Sequence, residues 1–270
     1  MSEFPVNVGT MLFTMVDPHR GHEVAYNRWY ERDHFYAGCM IGPGILSGAR
    51  WVATRELKDL RFPESSPFAE PVDAGSYLAI YWISDEQADE WQAWAGSQVW
   101  WLYQNGRGFD ERTHAQTGMY DFAAASNAPH HGVPVTLALD HRYASMHVVV
   151  SEPSGDASGA TLARDVHEGP VAELLARGAI GLATSWTMKG ADGPPPADDQ
   201  QTSPMALGAP GGSRQRVVQL LFSDLEPTQA WDDVRGYTAA IESSGLGRVT
   251  FAAPFLPTDV GTDRHTDQLW

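Results

Sequence analysis

The chain has 270 residues, of which 43% are hydrophobic and 19% charged, so it is long enough to form one large or two small domains without disulfides. Its formal net charge of −16 argues against nucleic acid and anionic membranes as partners, because their negative phosphates attract Lys and Arg. The single cysteine, Cys39, cannot form an internal disulfide, and the N-terminal segment lacks the basic and apolar regions of a signal peptide. We therefore expect a soluble cytoplasmic protein.

The first half of the chain alternates between strand-like and helix-like stretches. Runs of β-branched and aromatic residues predict strands, and apolar residues at helical spacing predict two helices. Ser84 and Asp85, followed by an acidic first turn, predict the start of the second helix. In chain order, the predicted elements are a strand at 10–16, a helix at 23–37, strands at 45–54 and 77–83, a helix at 86–103 and a strand at 118–124.

The second half repeats this order of elements with matching spacing. The predicted elements are a strand at 146–151, a helix at 161–177, strands at 180–188 and 216–222, a helix at 227–243 and a strand at 249–255. The Ser84-Asp85 pair before one helix is mirrored by Ser223-Asp224 before the other. This repetition indicates a duplication, with a first domain at 1–126, a linker at 127–143 and a second domain at 144–270.

Each half has the βαββαβ order of a ferredoxin-like unit. Two helices cover one face of such a sheet and leave the other face bare, so the bare face needs a partner. We predict an α+β fold in which the two antiparallel sheets of one chain pack together as a barrel. A long polar insertion separates the second and third strands of each half, and the Gly, Pro and Asp content of 189–214 predicts disorder there.

The first helix carries the side chains best suited to chemistry. At about 100° per residue, Tyr26, Trp29, Tyr30 and Asp33 fall on one face, with His34 at its margin. Tyr30 and His34 are four residues apart and are therefore neighbours on the helix surface. A phenol and an imidazole so placed can move a proton to or from a bound substrate, although both also serve as ordinary packing groups.

Two motifs lie in and after this helix, namely Asn27-x-Trp29-Tyr30-x-x-x-His34 and Pro43-Gly44-Ile45-x-Ser47-x-Ala49-Arg50. Together they resemble the signature of EthD-like proteins in the dimeric α+β barrel superfamily. The resemblance implies a ligand between the sheet and the helices of one unit, often faced by the helical histidine. On that basis the catalytic candidates are His34, Tyr30 and Asn27, and the substrate-binding candidates are Arg50, Trp29, Trp51, Asp33 and Tyr26.

Some of these candidates have an equally good structural explanation. Arg50 can anchor an anionic group of a substrate, but a salt bridge to Asp33 or Glu31 explains it as well. The second half lacks the Trp-Tyr pair and keeps only His167 as a counterpart of His34, so its site is expected to have decayed.

Cofactors and metals have little support in the sequence. Neither a glycine-rich nucleotide motif nor an HExxH spacing is present, so we predict no cofactor and no metal. Because some barrels that the chain resembles bind haem through one histidine, His167 would be the first residue to test as a haem ligand.

The sequence allows several classes of function. The favoured hypothesis is a cofactor-independent lyase, cyclase or isomerase acting on a hydrophobic aromatic or polycyclic small molecule. His34 would be the general base, and Tyr30 and Asn27 would hold a developing oxyanion. A cofactor-free monooxygenase is the alternative enzyme, and a non-catalytic small-molecule-binding protein is the alternative outside catalysis. A homodimer is a further expected state.

Overall fold

The computed structural model describes residues 6–191 and 213–270, and the insertion predicted to be disordered at 189–214 lies outside these residues except at its ends. Eight strands run through the chain: β1 (Val8–Pro18), β2 (Ile45–Val52), β3 (Tyr77–Ser84), β4 (Arg112–Asn127), β5 (Ser145–Pro153), β6 (Leu182–Met188), β7 (Val217–Ser223) and β8 (Gly247–Pro257). They form a closed antiparallel barrel in the order β1-β3-β2-β8-β5-β7-β6-β4. The predicted α+β barrel is therefore confirmed.

Helices pack on the outside of the barrel in both halves. In the first half they are α1 (Glu23–Trp29), its continuation as a π-helix (Tyr30–Met40), α2 (Arg55–Lys58) and α3 (Ala88–Gln104). In the second half they are α4 (Gly159–Val166), a π-helical segment (His167–Val171), α5 (Ala172–Ala176) and α6 (Pro227–Ser243). The first helix of each half thus contains wider π-helical turns, which in the second half include Pro170, a residue without a backbone N–H.

Each half contributes one four-stranded sheet with ferredoxin-like order, β4-β1-β3-β2 in the first and β8-β5-β7-β6 in the second. The two sheets join at two seams of unequal length. β4 and β6 pair from Tyr120 to Asn127, whereas β2 and β8 pair only at Trp51 with Pro257 and at Val52 with Leu256. Residues 45–50 of β2 consequently have no β8 partner, so the barrel closes here through a short join, which we call the open seam.

The barrel interior is filled by large side chains from both sheets. Trp82 and Trp186 are fully buried and stack with ring centroids 4.6 Å apart. The segment between the two halves also enters this core, because Ala138 and Leu139 are buried in it and the Val135 carbonyl accepts a hydrogen bond from Trp82 Nε1 at 3.0 Å. The predicted linker therefore packs as part of the barrel at the open seam.

Two elements extend at least three residues beyond their predicted bounds, and the others agree to within two residues at each end. β4 runs over Arg112–Asn127 instead of 118–124, because its first part pairs with β1 and its second part with β6. The first helix continues to Met40 instead of residue 37. Within the described residues 6–191 and 213–270, no helix is both long enough and apolar enough to traverse a bilayer.

Candidate functional site

A cavity of about 740 Å³ lies at the open seam between β2 and β8. Aromatic side chains from the first helix, β2 and the linker line it, namely Phe35, Tyr36, Trp51 and Tyr143. Its volume is typical of sites that bind small organic molecules, and charged side chains such as Arg142, Asp259 and Arg264 line it beside the aromatic ones.

Arg50 is a charged side chain at the wall of this cavity, and only 4% of that side chain is exposed. Its Nη1 lies 3.1 Å from Glu31 Oε1 and donates to Asn27 Oδ1 at 2.9 Å. The guanidinium carbon lies 4.6 Å from the ring centroid of Tyr30 and 5.0 Å from that of Tyr77. The ion pair and the two aromatic faces hold the guanidinium in one orientation.

Three side chains that line the cavity carry buried donor groups without a hydrogen-bond partner in residues 6–191 and 213–270. These groups are Nη2 of Arg50, Nε1 of Trp51 and the hydroxyl of Tyr143. Trp51 and Tyr143 both pack against Phe222, at centroid distances of 6.1 and 5.1 Å. A buried donor without an acceptor costs about 1–3 kcal/mol, and an oxygen-bearing ligand would remove that cost. Burial raises the pKa of Tyr143, so its hydroxyl stays protonated and able to donate.

The predicted residues Asn27 and Tyr30 have their polar groups engaged inside the protein. Asn27 Nδ2 donates to the Thr262 carbonyl at 2.9 Å, and the Tyr30 and Tyr81 hydroxyl oxygens lie 3.0 Å apart. Tyr26 is 1% exposed, and burial raises its pKa to about 12. None of the three lines the seam cavity.

Asp33 and Trp29 are directed toward the loop after α3. Asp33 Oδ2 accepts a hydrogen bond from Arg107 Nε at 3.0 Å, which holds the pKa of that carboxyl below its usual range. Trp29 Nε1 donates to the Arg107 carbonyl at 2.9 Å. Asp33 therefore does not face the core as the helical wheel predicted, and of the two carboxylates considered as partners of Arg50, Glu31 is the one in contact.

His34 lies apart from the seam cavity. Its half-buried ring stacks on Trp29 at 4.6 Å and accepts or donates no hydrogen bond within the part of the chain that is described. Burial, with the charge of Arg112 and the neighbouring His114, lowers the pKa of His34 to about 3, so the imidazole is neutral at pH 7. Its role as a general base stays a prediction.

The sequence interpretation missed Glu31 and Tyr143 as site residues. Glu31 was considered only as a salt-bridge partner of Arg50, although a Glu four residues after Asn27 on one helix lies near it in space. Tyr143 was assigned to a connecting segment. The dense run of charged and aromatic residues at 140–143 was the available signal that this segment does more than connect.

No protein-family model matches the chain, and no curated protein matches it. Solved structures match it over nearly the whole length. An anthrone oxidase-like protein is 11% identical with a TM-score of 0.55, covering 96% of this chain and 98% of that chain. The encapsulated DyP-type peroxidase from Mycobacterium smegmatis is 11% identical with a TM-score of 0.50, covering 95% of this chain and 94% of its own. At these identities, the likeness shows the α+β barrel fold.

The comparisons overturn the prediction that no cofactor is involved. DypB from Rhodococcus jostii RHA1, 10% identical with a TM-score of 0.51 and matched over 95% of this chain and 96% of its own, was solved in complex with heme. In the present chain, however, His167 does not fit as the ligand. Its Nδ1 lies 3.2 Å from Ser185 Oγ and its Nε2 lies 2.8 Å from Ser126 Oγ, so neither ring nitrogen is free to bind iron.

Proposed function

We propose that the chain is an oxidoreductase that binds an aromatic hydroxy compound in the seam cavity and passes its electrons to dioxygen. The observation that carries this proposal is the pair of buried donors on Trp51 and Tyr143, for which the described residues offer no acceptor, at a cavity lined by aromatic side chains. The Arg50 side chain leaves β2 on the opposite face, against Tyr30 and Tyr77. Aromatic walls favour a flat apolar ligand, and the donors favour an oxygen atom on it. An aromatic hydroxy compound meets both requirements.

The arrangement also favours oxidation of such a ligand. The Trp51 and Tyr143 donors would stabilise a phenolate over the neutral phenol, and a phenolate gives up electrons more readily. His141 lines the same cavity with 39% of its side chain exposed, so it can pass the phenolic proton to solvent. A dihydroxy substrate would lose two electrons and two protons to become a quinone, and dioxygen would gain them as hydrogen peroxide.

The names of the compared structures support an oxidising role over the other reactions. Two of them are an anthrone oxidase-like protein and a peroxidase. An oxidising reaction is therefore preferred over the lyase, cyclase or isomerase favoured from the sequence, although the sequence alternative was a monooxygenase and the reaction proposed here is that of an oxidase. Membership of the EthD-like family is retained as part of this proposal and rests on the two motifs at α1 and β2.

Replacing Tyr143 by Phe tests the ligand site directly. The change removes an unpaired hydroxyl and keeps the ring, so we expect the fold to be retained. The dissociation constant of a bound aromatic hydroxy compound should rise roughly three- to tenfold, the value of one lost hydrogen bond. Tryptophan fluorescence titrations with anthrone and 1-naphthol measure this constant.

Tyr237→Phe is the matched control, because Tyr237 is also 2% exposed with an unpaired hydroxyl but lies on α6, away from the seam cavity. It should leave ligand affinity unchanged. An oxygen electrode then measures turnover of 1,4-dihydroxynaphthalene, a dihydroxy compound that can lose two electrons and two protons. The absorption spectrum of the purified protein is recorded first, since a Soret band would identify a haem electron acceptor. Affinity that falls in His34→Gln and not in Tyr143→Phe would place the ligand against the π-helical part of the first helix and contradict the proposal.

A further inference from the structure

Three potential metal ligands meet at the junction of the two halves. His131 and His141 come from the segment between β4 and β5, and Asp224 follows β7. His131 Nε2 lies 3.8 Å from Asp224 Oδ2, and His141 Nε2 lies 3.7 Å from Asp224 Oδ1. The three ligand atoms all lie within 4.8 Å of one another.

The chemistry of this group is that of a transition-metal site. Two imidazole nitrogens with one carboxylate suit Zn²⁺, whereas Ca²⁺ and Mg²⁺ prefer oxygen ligands throughout. Bonds of about 2.0–2.1 Å around a tetrahedral ion place neighbouring ligand atoms roughly 3.4 Å apart. The two His–Asp spacings would contract by a few tenths of an ångström, and the widest spacing in the group, up to 4.8 Å, by as much as about 1.4 Å. His141 and Asp224, whose side chains are 39% and 61% exposed, are the members that can move.

The surroundings keep space free beside His131. A Cβ atom at Gly181 would lie 2.5 Å from His131 Nε2, so any residue other than glycine would crowd this nitrogen. The His131 ring is also fixed in plane, by stacking on Tyr143 at a centroid distance of 5.7 Å and by Asn127 Nδ2 at 3.2 Å from Nδ1. A metal on Nε2 requires the proton on Nδ1, so Asn127 must then turn its amide oxygen toward the ring and give up the hydrogen bond that its Nδ2 donates to the Val133 carbonyl at 2.7 Å.

We propose that His131, His141 and Asp224 bind one Zn²⁺ ion, with a fourth coordination position left to water. The proposal rests on different observations from the seam-cavity function but shares His141 with it, and an ion on Nε2 would leave only Nδ1 of that ring to exchange protons with the cavity. No short metal-binding motif predicted this site, because His131 and His141 are ten residues apart and Asp224 lies more than eighty residues later in the chain. An ion here would tie the segment at 131–141 to the turn after β7.

Calorimetric titration of the chelator-treated full chain with ZnCl₂ tests the proposal. We expect one ion per chain, and at least tenfold weaker binding in His141→Ala and in Asp224→Asn, because even outer partners of metal ligands are worth tenfold or more. Both residues are exposed, so both variants should fold, which circular dichroism verifies. Co²⁺ gives a second readout, through the visible absorption bands of a tetrahedral nitrogen and oxygen site.

His130→Asn is the matched control, since His130 adjoins His131 in sequence, is exposed and lies outside the group. Asparagine tolerates the positive φ of 70° at this position. The control should bind Zn²⁺ as the unchanged chain does. Absence of stoichiometric binding, or binding that persists equally in His141→Ala and Asp224→Asn, would overturn the proposal and leave two histidines that merely face a carboxylate.

Discussion

Replacing Arg50 by Met should lower the free energy of unfolding by about 3–5 kcal/mol, the usual cost of removing one partner of a buried ion pair. The Glu31 side chain is 8% exposed, so its carboxylate would stay buried with the Gly261 amide as its remaining contact, at 3.0 Å. The change also removes the hydrogen bond to Asn27. Urea or guanidinium denaturation followed by circular dichroism measures the loss.

The Arg248→Met variant provides the comparison for an exposed pair. Arg248 Nη2 lies 3.0 Å from Glu152 Oε2, between β8 and β5, and 70% of the Arg248 side chain is exposed. Its replacement should therefore lower the free energy of unfolding by less than about 1 kcal/mol. In Arg50→Met/Glu31→Met, no charge is left buried and most of the lost stability should return. If Arg50→Met cost no more than Arg248→Met, the pair would not be the buried structural element described above.

Acidification should destabilise the protein through His147 on β5. The residue is fully buried, and burial lowers its pKa to about 3, whereas a histidine in the unfolded chain has a pKa near the usual 6.5. Between these values the unfolded state binds the proton and the folded state does not, so the stability is complete above pH 6.5 and falls as the pH decreases toward 3. At pH 4.5, two units below the unfolded pKa, His147 alone should account for a loss of about 2–3 kcal/mol.

The hydrogen bonds explain why His147 resists protonation. The Ser145 hydroxyl donates to the Leu225 carbonyl at 2.8 Å, so His147 Nε2, 3.2 Å from Ser145 Oγ, must carry the ring proton. Nδ1 is buried without a partner in residues 6–191 and 213–270, and a second proton there would find no acceptor. His34 and His114, whose pKa values are also lowered to about 3, act in the same direction.

His147→Phe isolates this contribution, because a Phe ring can keep the stacking on Trp231, now at a centroid distance of 5.7 Å. Denaturation curves recorded from pH 7 to about 4 should show a shallower decline of stability in the variant, since fewer groups differ in pKa between the two states. Parallel declines in the two proteins would show that His147 titrates normally.

The order of the strands was predictable from the sequence, because duplication repeats the same pattern of strands and helices and a ferredoxin-like unit leaves one sheet face to cover. The unequal seams were not predictable. They depend on how far β4 extends past β1 and on where β8 meets β2, which are register properties that local residue patterns do not encode.

The site was only partly predictable for a related reason. The helical wheel assumed α-helical spacing, but the chain from Tyr30 to Met40 is a π-helix with wider turns, so Asp33 rotates away from the face shared by Tyr26 and Tyr30. Arg50 and Trp51, which the sequence suggested as substrate-binding residues, both line the seam cavity, and their binding role stays a prediction. Tyr143, which meets them there, lies more than ninety residues later, and nothing in its local sequence marks that encounter.

The short join between β2 and β8 also bears on how large molecules could reach the interior. A closed barrel separates most easily where the fewest backbone hydrogen bonds join neighbouring strands. Two residue pairs join β2 to β8, whereas seven join β4 to β6. Local opening on that side leaves the helices and the remaining strand pairs intact. A bulky ligand could therefore enter or leave the barrel at the open seam through a small, reversible separation of β2 from β8, without the unfolding of either half.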